Sequence, residues 1–160
     1  MKKTVAVIGS RGAIGNAVVD TLLADESVEA VFKFSRAEIT EHDDKVKHIF
    51  IDIEDEESIK QATESLPEDT KFDLIFVATG ILHDEKNVFP EKSIKDISFE
   101  KLIKVLTINT IGPTLVGKYF IPYLRKDSKS TFAFLSARVG SISDNKLGGW
   151  YSYRASKTAL

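Results

Sequence analysis

Thr4-Val5-Ala6-Val7-Ile8-Gly9-Ser10-Arg11-Gly12-Ala13-Ile14-Gly15 is the stretch on which the fold turns. Thr4 to Ile8 is β-branched or small and apolar almost without a break, the composition of a strand buried on both faces rather than one. A glycine cluster at 9, 12 and 15 follows, and Ile14, Ala17, Val18 and Leu22 then recur at helical spacing as far as Ala24. A buried strand, a glycine-rich turn and an amphipathic helix, in that order, predict the opening unit of a parallel sheet.

The alternation continues outward from there. Val28 to Phe34, His48 to Ile51, Phe72 to Val77 and Ser130 to Leu135 read as four more strands. A helix is expected from Asp55 to Leu66, with acidic residues in its first turn and Pro67 at its end. A long helix is expected from Ser98, a suitable N-cap, to Leu124, loosened or kinked at Gly112-Pro113 because proline lacks the N–H that the helix needs. Gly80 to Ile97 reads as a surface loop, and a final helix runs from Trp150 to Leu160. There is no repeat, low-complexity tract or linker. The expected fold is α/β: a Rossmann-type doubly wound parallel sheet in a single domain over residues 1–160. Ligands in such sheets bind beyond the carboxyl ends of the strands, where the strand order reverses.

Composition narrows the classes further. The 160 residues carry 22 Lys+Arg against 24 Asp+Glu, a formal charge of −2, which argues against a nucleic-acid-binding surface. The sequence has no cysteine, which excludes disulfides, thiolate metal sites and a cysteine nucleophile, and suits a reducing, cytoplasmic setting. No apolar run approaches the roughly 18 residues needed to cross a bilayer. His42, His48 and His83 have no metal-ligand spacing, so no metal is expected.

The strand ends carry the chemistry. Gly9, Ser10, Arg11, Gly12, Ile14 and Gly15 suit a dinucleotide pyrophosphate, since glycine lets backbone amides approach closely and the helix offers its positive end. A tight strand-to-helix turn is the plainer alternative. After the second strand stands Arg36, with no carboxylate at 34–36, although Glu38 is close. An acidic residue here would hold a ribose hydroxyl, whereas arginine suits a 2′-phosphate, so NADP(H) is favoured, with Arg11 as a second cation. Solvated surface arginines are the alternative. Asp52-Ile53 ends the third strand, its carboxylate either an acceptor for the adenine amino group or part of a solvated helix start; the acidic run Glu54 to Glu57 reads simply as that start. Ala78 and Gly80 after the fourth strand are small enough to let a cofactor lie against the backbone.

Tyr153-x-x-x-Lys157 adds an i, i+4 pair on one helix face, a spacing that by itself is more often an ordinary surface pair. A free phenol titrates near about 10, so only about 0.1% is ionised at pH 7. A neighbouring ammonium would lower that value toward working pH, where the hydroxyl both gives and takes a proton.

Together these residues resemble the short-chain dehydrogenase/reductase family from Thr4 to the last residue. Within it, Leu147-Gly148-Gly149-Trp150-Tyr151-Ser152-Tyr153-Arg154-Ala155-Ser156-Lys157 is similar to the active-site helix of C-factor and sniffer-type carbonyl reductases. The resemblance implies an NADP(H)-dependent oxidoreductase reducing a small-molecule carbonyl to an alcohol, working as a homodimer or homotetramer; a cofactor-binding signalling protein of C-factor type is the alternative. It implies that Tyr153 is the proton donor and that Lys157 lowers its pKa and holds the nicotinamide ribose. Asn109 would position a relay water, and a serine after the fifth strand would orient the carbonyl, Ser136 being the first choice and Ser141 the second. Three departures stand out: Ala78-Thr79-Gly80 replaces the usual Asn-Ala-Gly, Ala13 stands where glycine is usual with Gly12 as an extra one, and Ala137 occupies the place of the second serine in many members. The sequence stops three residues after Lys157, so a further strand and a substrate lid are expected to belong to a C-terminal part that this chain lacks. Gly112-Pro-Thr-Leu-Val-Gly117-Lys118 imitates a P-loop, but Tyr119 stands where the magnesium-binding hydroxyl belongs.

Overall fold

Val5, Ala6, Val7 and Ile8 are all buried, yet they serve two different cores. Strand side chains alternate, so Val5 and Val7 point to one face of the sheet and Ala6 and Ile8 to the other. A central strand apolar at every position is what two covered faces require.

The computed structural model describes residues 2–37, 43–84 and 88–160, so Glu38 and His42 lie outside the described residues. The first unit is β1 (Lys3–Ile8), α1 (Ala13–Ala24) and β2 (Val28–Ser35), followed by β3 (Val46–Phe50), α2 (Glu56–Glu64) and β4 (Leu74–Val77). Next come α3 (Phe99–Leu106), a wide π-turn over Thr107–Ile111 and α4 (Gly112–Phe120), then β5 (Thr131–Phe134) and α5 (Tyr151–Ala159). Every pairing is parallel and the order is β3-β2-β1-β4-β5. Ile8 sits between Phe34 of β2 and Val77 of β4. The chain therefore walks outward from β1 to β3, returns, and continues through β4 to β5, so the order reverses between β1 and β4.

Val19 of α1 packs with Val5, Val7, Val28 and Val31 on one face. On the other, Ile59 and Ala62 of α2 and Val116 and Phe120 of α4 cover Ala6, Ile8, Phe32, Phe34, Ile75 and Val77. Edge-to-face ring pairs, Phe32 with Phe72 and Phe34 with Phe120 at centroid separations of 5.2 and 5.1 Å, lock the second core. The long helical stretch is one continuous run, and its expected loosening takes a definite form. Gly112 N–H reaches back five residues to the Thr107 carbonyl, and Pro113, with no N–H of its own, follows directly. Ser98 caps α3 by accepting from Lys101 N. Among the described residues of the loop from Gly80 to Ile97, a 3₁₀ turn forms at Ile94–Asp96, held by a Ser93–Asp96 capping box. No helix among the described residues is long and apolar enough to cross a membrane.

Candidate active site

At the reversal point a cleft of about 440 Å³ opens beyond the carboxyl ends of β1 to β4. Gly9, Arg11 and Gly12 line it after β1, Ser35 and Arg36 after β2, Ile53 and Glu54 after β3, and Ala78 to Ile81 after β4. Gly9 adopts φ +82°, and a side chain on Gly15 would place its Cβ 2.2 Å from the Gly9 carbonyl oxygen. Only glycine at both places lets the turn fold tightly enough to bring the start of α1 against the cleft. That start has Gly12 as its N-cap, with no capping side chain and no acid in the first turn. Its amides are therefore ready for an anionic group.

Two further observations fit a polar ligand. The Ser35 and Thr79 hydroxyls line the cleft, are buried, and have no hydrogen-bond partner. A buried hydroxyl left unsatisfied costs about 1–3 kcal/mol, which a ligand oxygen or hydroxyl would recover. Arg36, its side chain 68% exposed, leans on Glu54 at 3.7 Å, while Lys104 approaches the other Glu54 oxygen at 2.5 Å. Glu54, read from the sequence as a solvated helix start, is instead a cleft residue between two cations. The strand-end rule that singled out Asp52 applies equally to Glu54, two residues further on. Asp52 itself stands beside the cleft and uses one oxygen to accept from Glu54 N. Ser10 is wholly buried and bonds the Phe34 carbonyl, so its hydroxyl braces the turn, and Ile14 is exposed on α1.

The second cluster lies where α5 meets the π-turn and the ends of β4 and β5. Asn109 is 0% exposed; its Oδ1 accepts from Ile81 N at 2.7 Å, and its Nδ2 donates to the Ile81 carbonyl at 2.9 Å and to Ser156 Oγ at 3.0 Å. Asn109 thus clasps the loop after β4 to α5. Lys157 is buried beside it: a Cβ on Gly80 would lie 3.3 Å from Lys157 Nζ and 3.4 Å from Asn109 Oδ1. Ser136 Oγ donates to the Lys157 carbonyl at 3.2 Å, whereas Ser141 Oγ pairs with Ser143 Oγ and accepts from Asp144 N. The ring of Tyr153 meets that of Trp150 edge-on at 6.3 Å.

One expectation changes here. Lys157 Nζ donates to the Leu135 carbonyl at 2.8 Å rather than to the phenol. Burial pushes the Tyr153 hydroxyl up from its ordinary value and the Lys157 ammonium down, with no contribution between the two. The i, i+4 spacing aligns the two stems, but a four-carbon side chain delivers its charge wherever an acceptor waits, and that acceptor is the residue just after β5.

A parallel sheet with a glycine turn at its first crossover and a polar cleft at its switch point defines a Rossmann-type dinucleotide-binding fold. The model of the short chain dehydrogenase family matches residues 3–160, and this chain belongs to that family of oxidoreductases, whose members use NAD or NADP. The chain is 28% identical over 158 residues, 98% of its length, to the 1-hydroxy-2-glutathionyl-2-methyl-3-butene dehydrogenase of Rhodococcus sp. (strain AD45), covering 66% of that protein. It is 35% identical to the C-signal of Myxococcus xanthus over 68 residues, 42% of this chain and 41% of that one. It thus spans less than two thirds of each of these curated relatives. The NADPH-bound carbonyl reductase from chicken fatty liver superposes with a TM-score of 0.83 at 27% identity, covering 99% of this chain and 67% of that one.

Proposed function

We propose that this chain carries the cofactor-binding and proton-transfer machinery of a cytoplasmic NADP(H)-dependent oxidoreductase that reduces a small-molecule carbonyl to an alcohol. The observation that carries this reading is the meeting of Asn109 and Lys157 at Gly80, on the rim of a cleft holding two unpartnered hydroxyls. In this reading Gly9, Gly12, Gly15 and the first amides of α1 receive the pyrophosphate. Arg36 and Arg11 hold the 2′-phosphate, and Ser35, Ile53, Ala78, Thr79 and Gly80 line the nucleoside. NADPH, when bound, supplies the hydride that goes to the carbonyl carbon. Tyr153 gives its hydroxyl proton to the carbonyl oxygen, and its high pKa in the ligand-free site keeps it protonated for that task. Lys157, tethered to Leu135, brings a positive charge to the same corner, which favours loss of that proton once water is excluded. Asn109 holds the floor of the site, and Ser136, bonded to the α5 backbone, orients the carbonyl; comparing Ser136→Ala with Ser141→Ala separates the two serines.

The bound NADPH of the chicken carbonyl reductase supports the cofactor choice. NADPH consumption against a panel of aldehydes and ketones, wild type beside Tyr153→Phe, tests the reading: turnover lost in the variant supports it, and equal turnover overturns it. The identity to C-signal favours a second reading, a cofactor-binding regulatory protein. NADPH binding without turnover in the full-length protein would support that one. Apolar side chains exposed on α3, at the π-turn and just after α4, with Phe99 at 75% and Ile103, Ile111 and Ile121 near half, support pairing with a second copy. Sedimentation of wild type against Phe99→Glu tests it, a monomeric wild type being the contrary result.

A further inference from the structure

We propose that Glu91 is a positioning residue for Tyr153, its carboxylate capping the start of α5 from the loop after β4 while its carbonyl holds Trp150. The inference deepens the reading of Tyr153 as proton donor and rests on it.

The start of α5 is unusual. Gly148, Gly149 and Trp150 all have positive φ, at 65°, 66° and 53°. For tryptophan this left-handed conformation is unfavourable by about 1–2 kcal/mol and persists only where the surroundings enforce it. An ordinary N-cap is a Ser, Thr, Asp or Asn in extended conformation whose side chain accepts from the second or third helical amide. Trp150 has neither the acceptor nor the backbone angle, and it makes no side-chain cap.

The missing functions arrive from 61 residues upstream. Ser152 N donates to both oxygens of the Glu91 carboxylate, at 3.4 and 3.3 Å, and Ser152 Oγ donates to one of them as well. Trp150 N donates to the Glu91 backbone carbonyl at 2.7 Å. Glu91 is 3% exposed and Ser152 2%. A buried carboxylate is tolerated only where hydrogen bonds and favourable potential replace water, and the first turn of a helix offers both. Glu91 therefore holds residues 150 and 152 at once, and Tyr153 is the next residue. The Trp150 ring, fixed by the same strained turn, rests edge-on against the Tyr153 ring. A shift of the first turn of α5 by about 1 Å would misplace the phenol, and such misplacement costs on the order of 100-fold in rate.

Trp150 is the single tryptophan in the sequence, so its emission reports on this corner independently of turnover. In the full chain, Glu91→Ala is expected to move that emission to longer wavelength and to lower kcat about 10- to 100-fold, with NADPH affinity unchanged. Glu91→Gln keeps an acceptor for Ser152 and is expected to restore the emission and most of the turnover. Wild-type emission and kcat in Glu91→Ala would overturn the proposal, as would loss of NADPH binding in step with kcat. Should Glu91→Ala not fold, Ser152→Ala decides: it removes one donor, for an expected emission shift and a fall in kcat of about 3- to 10-fold, and neither change would mean no clamp. Tyr153→Phe runs alongside. If that variant turns over like wild type, the proton-donor reading fails, while the emission of the Glu91 variants still decides whether the clamp exists.

Discussion

Asn109→Ala is the substitution whose consequences follow most directly from the geometry. It removes three hydrogen bonds, two to the Ile81 backbone and one to Ser156, from a side chain with no solvent exposure. Each such bond contributes about 1 kcal/mol net, and a buried group left unpaired costs about 1–3 kcal/mol. Ile81 is only partly buried, so water can re-satisfy its amide and carbonyl, and Ser156 keeps its bond to the Tyr153 carbonyl. The lower end of the range therefore applies, about 3 kcal/mol in total. For a protein of this size that lowers Tm by about 6–12 °C. Differential scanning calorimetry and urea unfolding read the stability, and the NADPH assay on the same preparations reads kcat. Asn109→Asp retains the acceptor for Ile81 N but loses both donations and buries a carboxylate against the Ile81 carbonyl, so its loss should be at least that of Asn109→Ala. A variant that loses turnover at an unchanged Tm would refute the clasp and leave Asn109 with the water-relay role alone.

Gly15→Ala forces the glycine turn apart by about 1 Å to restore ordinary contact with the Gly9 carbonyl. Its expected result is loss of NADPH binding with about 1–3 kcal/mol of destabilisation, read by isothermal titration and thermal melting. Arg36→Ala should weaken NADPH by about 10- to 100-fold while leaving NADH nearly unchanged; parallel weakening of both would remove Arg36 from the 2′-phosphate site. Glu54→Gln frees Arg36 from its competing carboxylate and should tighten NADPH by less than about fivefold, since the Arg36 side chain is largely solvated and the contact is long. In the ligand-free protein burial raises the Tyr153 pKa, so the phenol ionises at higher pH than a free tyrosine. An ultraviolet difference titration of wild type against Tyr153→Phe checks this, and a step below pH 10 would contradict it.

Local chemistry made much of the molecule legible. The unbroken apolar run of β1 announces two covered faces, Gly112-Pro113 announces the loosened turn in the long helix, and Gly9 and Gly15 announce the turn that faces the cleft. Each of these depends on the conformational limits of a residue and its immediate neighbours. Ser35, Thr79 and Glu54 were not legible in the same way, because an orphaned hydroxyl or a carboxylate between two cations exists only once separate strand ends converge.

The alternation of elements, the glycine turn and the family motif are properties of the sequence itself, written in periodicity and in residue type at fixed spacing. The partner of each polar side chain is decided by the tertiary structure. Lys157 turns to Leu135, Asn109 clasps Ile81 and Ser156, and Ser152 finds Glu91 across 61 residues, because hydrogen bonds act over about 3 Å in space and are indifferent to distance along the chain.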